Sequence, residues 1–321
     1  MVNKGMDGVS LYVELPLDDS GRARLRALGP GSVWFAEPGT ASEADARALA
    51  DADIALGNPR AEWVSGAPRL RWLQLASVGI DSYLGLDRPE LGHRLAVTNL
   101  GDVFADPVAE SCLAGILALH RGIDELSGLR ARGTWAKPVV RPRLRLLAGA
   151  RVLVLGRGSI ARRFAELLGP FGCPVSHFAR GSGDIRTLAE LDERLPRFDV
   201  VVGLLPGTPA TSGLLDARRL ALLRPGAVVV NAGRGSLVDE EALMSELSSG
   251  RLGGAVLDVT GQEPLPAGHP LWTCPNVILT QHTAGGSTDE SARVVDLFAD
   301  NLLRFEAGDP LRNPVQWTRG F

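Results

Sequence analysis

A glycine-containing loop near the middle of the chain constrains the fold more than any other segment. The apolar run at residues 151–155 leads directly into Gly156-Arg-Gly-Ser-Ile-Ala161, and an amphipathic segment follows. In a strand–turn–helix unit, the first glycine permits the turn, the second lets phosphates approach the backbone, and the third position needs a small residue. The pattern predicts that a dinucleotide pyrophosphate binds at the helix N-terminus, the alternative being a glycine turn in an unrelated α/β domain. The expected contacts are Gly156, Gly158, Ser159 and Ile160.

Short apolar runs alternate with amphipathic segments along most of the chain, which is typical of βαβ units and parallel sheets. Before the loop, the strand candidates are residues 9–15, 33–35, 53–56, 70–76 and 95–99, which predict a small α/β domain. From the loop onward they are 151–155, 175–178, 199–204, 227–231, 254–258 and 277–280, which predict a doubly wound Rossmann sheet. At about 100–200 residues per domain, the length also predicts two domains.

A helical pattern at about 106–121 and an Arg-rich, irregular stretch to about residue 148 lie between the two series. The Arg-rich stretch suits a solvated or subunit-contact arm, or else a basic cluster beside an active site.

Charge and composition exclude several classes of partner and compartment. Lys+Arg 34 against Asp+Glu 37 gives a net charge of −3, so no global basic field indicates a nucleic-acid or membrane partner. No apolar run approaches the roughly 18 residues of a membrane-spanning helix, and the N-terminus lacks the apolar core of a signal peptide. Cys112, Cys173 and Cys274 are far apart without metal-ligand spacing. We therefore expect reduced thiols, no metal site and a cytoplasmic protein.

The end of the second Rossmann strand bears on the choice of nicotinamide cofactor. NAD-binding domains usually place an acidic residue here to bind the ribose hydroxyls, but this chain has Ala179 followed by Arg180. A carboxylate would repel a 2′-phosphate, whereas Arg180 with Ser182 nearby can bind one. The sequence favours NADP over NAD; the alternative is that Arg180 merely stacks on the adenine.

Three further segments, residues 230–239, 257–266 and 279–286, contain the side chains expected to carry acid–base chemistry. Arg234 and Asp258 each follow a strand candidate, Glu263 lies in the next loop, and His282 ends the last run. In an open parallel sheet the carboxyl ends of the strands face the ligand crevice, so we expect these side chains to converge.

These residues resemble the D-isomer-specific 2-hydroxyacid dehydrogenase family, which includes glyoxylate/hydroxypyruvate reductases and phosphoglycerate dehydrogenases. The resemblance covers nearly the whole chain. Besides the glycine loop and the three segments above, it rests on residues 73–81, 97–99, 107–110 and 205–211. Two positions depart from the usual pattern: Ala179 replaces an acidic residue, and Gln281 replaces the proline before the catalytic histidine.

The resemblance implies roles for individual residues. Arg234 binds the substrate carboxylate and polarises the keto oxygen, His282 exchanges a proton with that oxygen, and Glu263 binds the other imidazole nitrogen. Positioned proton transfer of this kind contributes about 10²–10⁴-fold to a rate. The remaining implied contacts are Ser77, Val78 and Gly79 with the substrate, and Pro206, Ala232, Asp258, His282 and Gly285 with the cofactor.

The resemblance also implies a domain organisation and an activity. A flavodoxin-like substrate domain takes residues 1–100 plus 288–321, and the Rossmann domain takes 101–287, with an arm at 105–145 that forms a homodimer. The implied reaction reduces a small 2-keto acid with NADPH, in a cleft that closes on binding, to give the (R)-2-hydroxy acid. The alternatives are a short phosphoglycerate dehydrogenase, another 2-keto acid reductase, or a nicotinamide-sensing corepressor that keeps this fold.

Overall fold

The computed structural model describes residues 8–40, 42–86 and 94–317, and the chain divides into two compact units. Unit 1 comprises Met1–Phe104 together with Ser287–Phe321, and unit 2 comprises Ala105–Gly286. Unit 1 is therefore built from two segments that are separated along the chain by the whole of unit 2.

The described residues form parallel strands separated by helices. The strands are β1 (Ser10–Glu14), β2 (Ser32–Phe35), β3 (Ile54–Gly57), β4 (Trp72–Gln74), β5 (Ala96–Thr98), β6 (Val152–Leu155), β7 (Val175–Phe178), β8 (Val200–Gly203), β9 (Val228–Asn231), β10 (Gly254–Leu257) and β11 (Val277–Leu279). The α-helices are α1 (Asp19–Ala27), α2 (Glu43–Ala50), α3 (Ala61–Gly66), α4 (Ala105–His120), α5 (Ile123–Ala131), α6 (Lys137–Val140), α7 (Ser159–Leu168), α8 (Leu188–Arg194), α9 (Ala217–Leu222), α10 (Glu240–Ser248) and α11 (Glu290–Ala307).

Unit 1 contains a five-stranded parallel sheet in the order β2-β1-β3-β4-β5, which is the flavodoxin-like arrangement. Helix α2 begins with a capping box, since the Ser42 hydroxyl accepts from the Asp45 amide while the Asp45 carboxylate accepts from the Ser42 amide. Helix α11, from the C-terminal segment, buries its apolar face against the sheet, and its Phe298 ring stacks on Trp72 at 5.0 Å between centroids. That packing attaches the second chain segment to unit 1.

Unit 2 contains a six-stranded parallel sheet in the order β11-β10-β9-β8-β6-β7. Strands β6, β8, β9 and β10 are buried along their whole length, as expected for a sheet covered by helices on both faces. The strand order reverses between β6 and β8, and such a switch point is where open α/β sheets bind ligands. The predicted fold class, a Rossmann sheet with a smaller flavodoxin-like domain, is confirmed.

The Arg-rich arm differs from its prediction. The sequence predicts irregular structure to about residue 148, which is wrong in two places, because α5 and α6 are helical. Helix α5 has Asp124 and Glu125 in its first turn and Arg130 in its last, an arrangement that complements the helix dipole. It buries none of its residues, so no face of the helix packs into the core of unit 2.

Among the residues that the structure describes, no helix has both the length and the apolar composition that crossing a bilayer requires.

Candidate active site

A histidine–carboxylate pair lies at the carboxyl edge of the unit 2 sheet. His282 follows β11 and Glu263 lies in the loop after β10, and the His282 Nδ1 atom is 2.6 Å from Glu263 Oε2. The second oxygen, Oε1, accepts the Thr260 backbone N–H at 3.0 Å, which holds the carboxylate in place. An ionised carboxylate only accepts hydrogen bonds, so the imidazole proton resides on Nδ1 and Nε2 remains for proton exchange. The structure therefore brings two of the three predicted catalytic residues into direct contact.

The backbone that carries His282 has an unusual conformation. Gln281 and His282 both have positive φ, 54° and 57°, in the left-handed region that non-glycine residues seldom occupy. Proline is restricted to φ near −65°, so the proline expected at position 281 is incompatible with this backbone. The departure at Gln281 thus coincides with a local conformation that only a non-proline residue can adopt.

Asp258 holds this turn in place. Its carboxylate oxygen Oδ1 accepts the backbone N–H groups of Thr283 at 2.9 Å and Ala284 at 3.1 Å, together with the Thr280 hydroxyl at 2.6 Å. Its backbone carbonyl accepts the His282 N–H at 2.6 Å. The Asp258 side chain is 7% exposed, and these bonds compensate its burial. The sequence points to Asp258 as a cofactor contact but gives no sign of its role in positioning the histidine, nor of Thr280.

Arg234 follows β9 in an extended backbone conformation. Its Nη1 donates to the Gly233 carbonyl at 2.8 Å, while the Asn231 side-chain amide donates to the Arg234 carbonyl at 2.9 Å. The next residue, Gly235, packs so closely that an added Cβ would lie 1.9 Å from the Thr260 carbonyl oxygen. Since the Thr260 N–H also donates to Glu263, this contact places the arginine turn against the loop that carries the Glu263 carboxylate.

The glycine loop has the geometry that a dinucleotide requires. Gly156 has φ of 125°, and an added Cβ would lie 3.0 Å from the Leu204 carbonyl oxygen, so only glycine fits there. Nothing lies within 4 Å of an added Cβ at Gly158, the N-cap of α7. Among the described residues, the Ile160 N–H in the first turn of α7 has no acceptor. An open approach and an available helix N-terminus suit a pyrophosphate.

The turn after β7 is compact and presents Arg180 to solvent. The Ala179 carbonyl accepts the N–H groups of both Gly181 and Gly183 at 3.0 Å, which closes the turn. Arg180 and Ser182 are exposed, and Arg180 makes no ion pair with any residue in the described ranges. Sequence reasoning missed His177, whose Nδ1 lies 3.0 Å from the Gly156 carbonyl oxygen and so contacts the glycine loop from the neighbouring strand.

The other predicted cofactor contacts of unit 2 lie beyond the ends of β8 to β11. Ala232 and Asp258 line one small cavity of about 10 Å³, beside Ser111 of α4. The Pro206 carbonyl accepts the Thr211 hydroxyl at 2.6 Å, which orders the loop after β8. Gly285 is half-buried in the loop that follows His282.

Both the sequence and the fold of this chain are similar to those of known proteins. Residues 113–284, more than half of the chain, match the family described as D-isomer specific 2-hydroxyacid dehydrogenase, NAD binding domain. A hydroxyphenylpyruvate reductase from Plectranthus scutellarioides is 34% identical over 258 residues, which cover 79% of this chain and 81% of the relative. Glyoxylate/hydroxypyruvate reductase A from Serratia proteamaculans (strain 568) is 31% identical over 281 residues, covering 84% and 88%.

A solved structure extends the likeness to nearly the whole chain. The NADPH-dependent glyoxylate/hydroxypyruvate reductase from Sinorhizobium meliloti, in complex with NADP and sulfate, has a TM-score of 0.81 at 28% identity. The superposition covers 98% of this chain and 100% of that one.

The Rossmann sheet, the glycine loop and the histidine–glutamate pair define a nicotinamide-dinucleotide-dependent oxidoreductase. The chain belongs to the D-isomer-specific 2-hydroxyacid dehydrogenase family, as its family match and its relatives show. The relatives support a 2-keto acid reductase, and small keto or hydroxy acid substrates are consistent with that family.

Proposed function

We propose that the protein uses NADPH to reduce a small 2-keto acid of the glyoxylate or hydroxypyruvate type to the (R)-2-hydroxy acid. The observation that carries the proposal is the 2.6 Å contact between His282 Nδ1 and Glu263 Oε2, which orients an imidazole for proton transfer through Nε2. The names of two relatives, glyoxylate/hydroxypyruvate reductases, support the same substrate class. The relative named hydroxyphenylpyruvate reductase makes a bulkier keto acid the alternative.

In this reaction, residues of the chain donate the proton and bind the substrate. When bound, NADPH would supply the hydride that adds to C2 of the keto acid. The electron pair of the C=O bond moves to oxygen, which takes a proton from His282 Nε2. Glu263 stabilises the imidazolium form that precedes this transfer. Arg234 binds the carboxylate and polarises the keto oxygen, because its planar, permanently charged guanidinium matches carboxylate geometry.

A keto-acid panel tests the proposal. Oxidation of NADPH is followed with glyoxylate, hydroxypyruvate, 3-phosphohydroxypyruvate and hydroxyphenylpyruvate as substrates. We expect the highest kcat/KM with glyoxylate or hydroxypyruvate. Preference for the phosphorylated acid would indicate a short phosphoglycerate dehydrogenase instead. Tight NADPH binding without turnover of any keto acid would overturn the enzyme proposal in favour of a nicotinamide-sensing corepressor.

We propose NADPH as the preferred cofactor because Ala179 replaces the usual acidic residue and the neighbouring Arg180 is exposed. Replacing Arg180 by Ala removes charge-assisted hydrogen bonds to the 2′-phosphate. We expect the KM for NADPH to rise by about 10- to 100-fold, with little change for NADH. Steady-state kinetics with both cofactors measure this difference.

Arg197→Ala is the matched control for Arg180→Ala. Arg197 is another exposed arginine of unit 2, 3.7 Å from Glu193, and its replacement should leave both KM values unchanged. Equal effects of Arg180→Ala on NADPH and NADH, or a wild-type preference for NADH, would contradict the cofactor proposal.

We propose a homodimer formed through the arm at residues 105–145. Three large apolar side chains of α5, α6 and the segment between them support this: Trp135 is 88% exposed, Val139 64% and Ile123 56%. Several large apolar side chains exposed within one short segment are typical of an interaction site. The proposal predicts that the protein has twice the chain mass in solution. It also predicts that the Trp135→Asp variant has a lower mass, closer to that of one chain. Light scattering measures both masses.

A substitution outside the arm separates this effect from general destabilisation. Leu303 of α11 is 59% exposed in unit 1, and Leu303→Asp should leave the mass unchanged. A wild-type protein with the mass of one chain would refute the dimer.

We further propose that unit 1 is the substrate domain and unit 2 the dinucleotide domain, close to the expected division at residues 100 and 288. Within unit 1, we propose Ser77, Val78 and Gly79 as the residues that bind the substrate carboxylate.

A cytoplasmic location is proposed from the three free cysteines. Burial raises the pKa of the Cys112 thiol to about 12, so this thiol stays protonated in the core.

A further inference from the structure

In the loop that follows β4 in unit 1, the backbone carbonyl groups of residues 77–79 all accept hydrogen bonds. The Ser77 carbonyl accepts the Leu100 N–H at 3.0 Å, and the Val78 carbonyl accepts the Asn99 side-chain amide at 3.1 Å. The Gly79 carbonyl accepts the Ser77 hydroxyl at 2.8 Å. Three successive carbonyl oxygens therefore point to protein donors and away from the side of the loop where the N–H groups lie.

The backbone N–H groups of the same loop differ from its carbonyl groups in their hydrogen bonding. Within the described parts of the chain, the backbone N–H groups of Val78 and Gly79 have no acceptor. In a trans peptide the C=O and the following N–H are coplanar and point in opposite directions. Anchoring the Val78 carbonyl therefore sets the direction of the Gly79 N–H, and anchoring the Ser77 carbonyl does the same for the Val78 N–H.

One of these two anchors is a side chain, that of Asn99, and it is itself rigidly held. Asn99 is 6% exposed, and its Oδ1 accepts the Gly101 N–H at 3.1 Å. Its backbone N–H donates to the Asn313 carbonyl at 3.0 Å, and its carbonyl accepts the Gln74 side-chain amide at 3.1 Å. Because its other polar groups are engaged, the Asn99 amide has one orientation in which Nδ2 faces Val78.

We propose that Asn99 is a positioning residue for the substrate: its side-chain amide fixes the Val78–Gly79 peptide so that the Gly79 N–H donates to the substrate carboxylate. The proposal rests on the proposed function, in which this loop binds that carboxylate. It assigns a role to a buried side chain that never touches substrate. A carboxylate binds alike in the ground state and the transition state, so the effect of Asn99 falls on KM rather than on kcat.

Asn99→Asp is the sharpest variant, because it keeps the volume and the acceptor for the Gly101 N–H. It replaces the donor to Val78 by an oxygen that repels the carbonyl, when measured at mildly alkaline pH where the carboxyl group is ionised. We expect the KM for the keto acid to rise by about tenfold or more, with kcat changed less than about threefold and NADPH affinity unchanged. Asn99→Ala, which lacks the donor without adding charge, should show a smaller rise in KM.

Thr98→Val is the matched control from the adjacent position. Thr98 is fully buried, and its hydroxyl accepts the Trp72 indole N–H at 2.9 Å and donates to Gln74 Oε1 at 2.8 Å, so its hydrogen bonds go to residues other than 77–79. It should lower the melting temperature and leave the KM for the keto acid unchanged. An equal rise in KM in Thr98→Val would show that Asn99 acts only through stability and would overturn the proposal.

A binding measurement distinguishes failure of this inference from failure of the proposed function. Calorimetry of oxalate, a small carboxylate, against the NADPH complex needs no turnover. Tenfold weaker oxalate binding in Asn99→Asp, with wild-type affinity in Thr98→Val, supports the positioning role even if no keto acid of the panel is reduced. Unchanged oxalate affinity and unchanged KM in both Asn99 variants would overturn the positioning role of Asn99. If those variants also turned over the keto acid at the wild-type rate, the proposed function would remain valid.

Discussion

Replacing His282 by Ala is expected to lower kcat for keto-acid reduction by about 10²–10⁴-fold, the usual contribution of a positioned proton donor. The imidazole is oriented by the 2.6 Å contact with Glu263, so that Nε2 alone is left to exchange a proton with the substrate oxygen. Alanine has no group that can transfer a proton, and water replaces it poorly. Stopped-flow or steady-state oxidation of NADPH measures the loss in kcat, and NADPH binding followed by fluorescence should stay within a few-fold of wild type.

Two variants define what this loss means. His269 lies in the loop after β10, where its Nδ1 accepts the Leu271 N–H at 3.3 Å, and His269→Ala should retain wild-type kcat. Glu263→Gln keeps the size of the side chain but removes the charge opposite Nδ1, so we expect a loss in kcat smaller than that of His282→Ala. Full activity in His282→Ala would contradict the assignment of the proton donor.

The strands could be predicted because burial and secondary structure coincide in this fold. The candidate at residues 254–258 differs from β10 by one residue, and the run at 151–155 differs from β6 by one residue. A fully buried parallel strand is a short continuous apolar run between polar segments, which is visible in one sequence. Helix α5 carries no such signal, since it buries none of its residues.

The site could be predicted only in part, because residue types are local while hydrogen bonds are tertiary. The sequence indicates which residues follow the strand ends, and for His282 and Glu263 that is enough to expect a pair. It does not indicate that Asp258 holds the turn at Thr283 and Ala284, since the three are brought together only when β10 and β11 align. The left-handed backbone at Gln281 precedes the turn that these Asp258 hydrogen bonds hold, and no glycine in the sequence indicates it.

Replacing Arg234 by Ala is expected to lower kcat/KM for the keto acid by about 10²–10⁴-fold, because each charge-assisted hydrogen bond contributes about 1.5–3 kcal/mol and a bidentate pair has two. The bond from Nη1 to the Gly233 carbonyl, 2.8 Å, orients the guanidinium, and Arg234→Lys keeps the charge without that planar fork. We therefore expect Arg234→Lys to lie between wild type and Arg234→Ala.

Added guanidinium ion gives a second readout for Arg234, because it restores the missing group without restoring the side chain. It should raise the kcat/KM of Arg234→Ala toward wild type and leave Arg234→Lys unchanged. Arg218, whose Nη2 lies 2.7 Å from Asp192 Oδ2 on the exposed surface, is the control, and Arg218→Ala should retain wild-type kinetics. Wild-type kcat/KM in Arg234→Ala would remove the arginine from the proposed mechanism. A loss that guanidinium does not restore, accompanied by weaker NADPH binding, would instead assign Arg234 to the packing of the turn against Thr260.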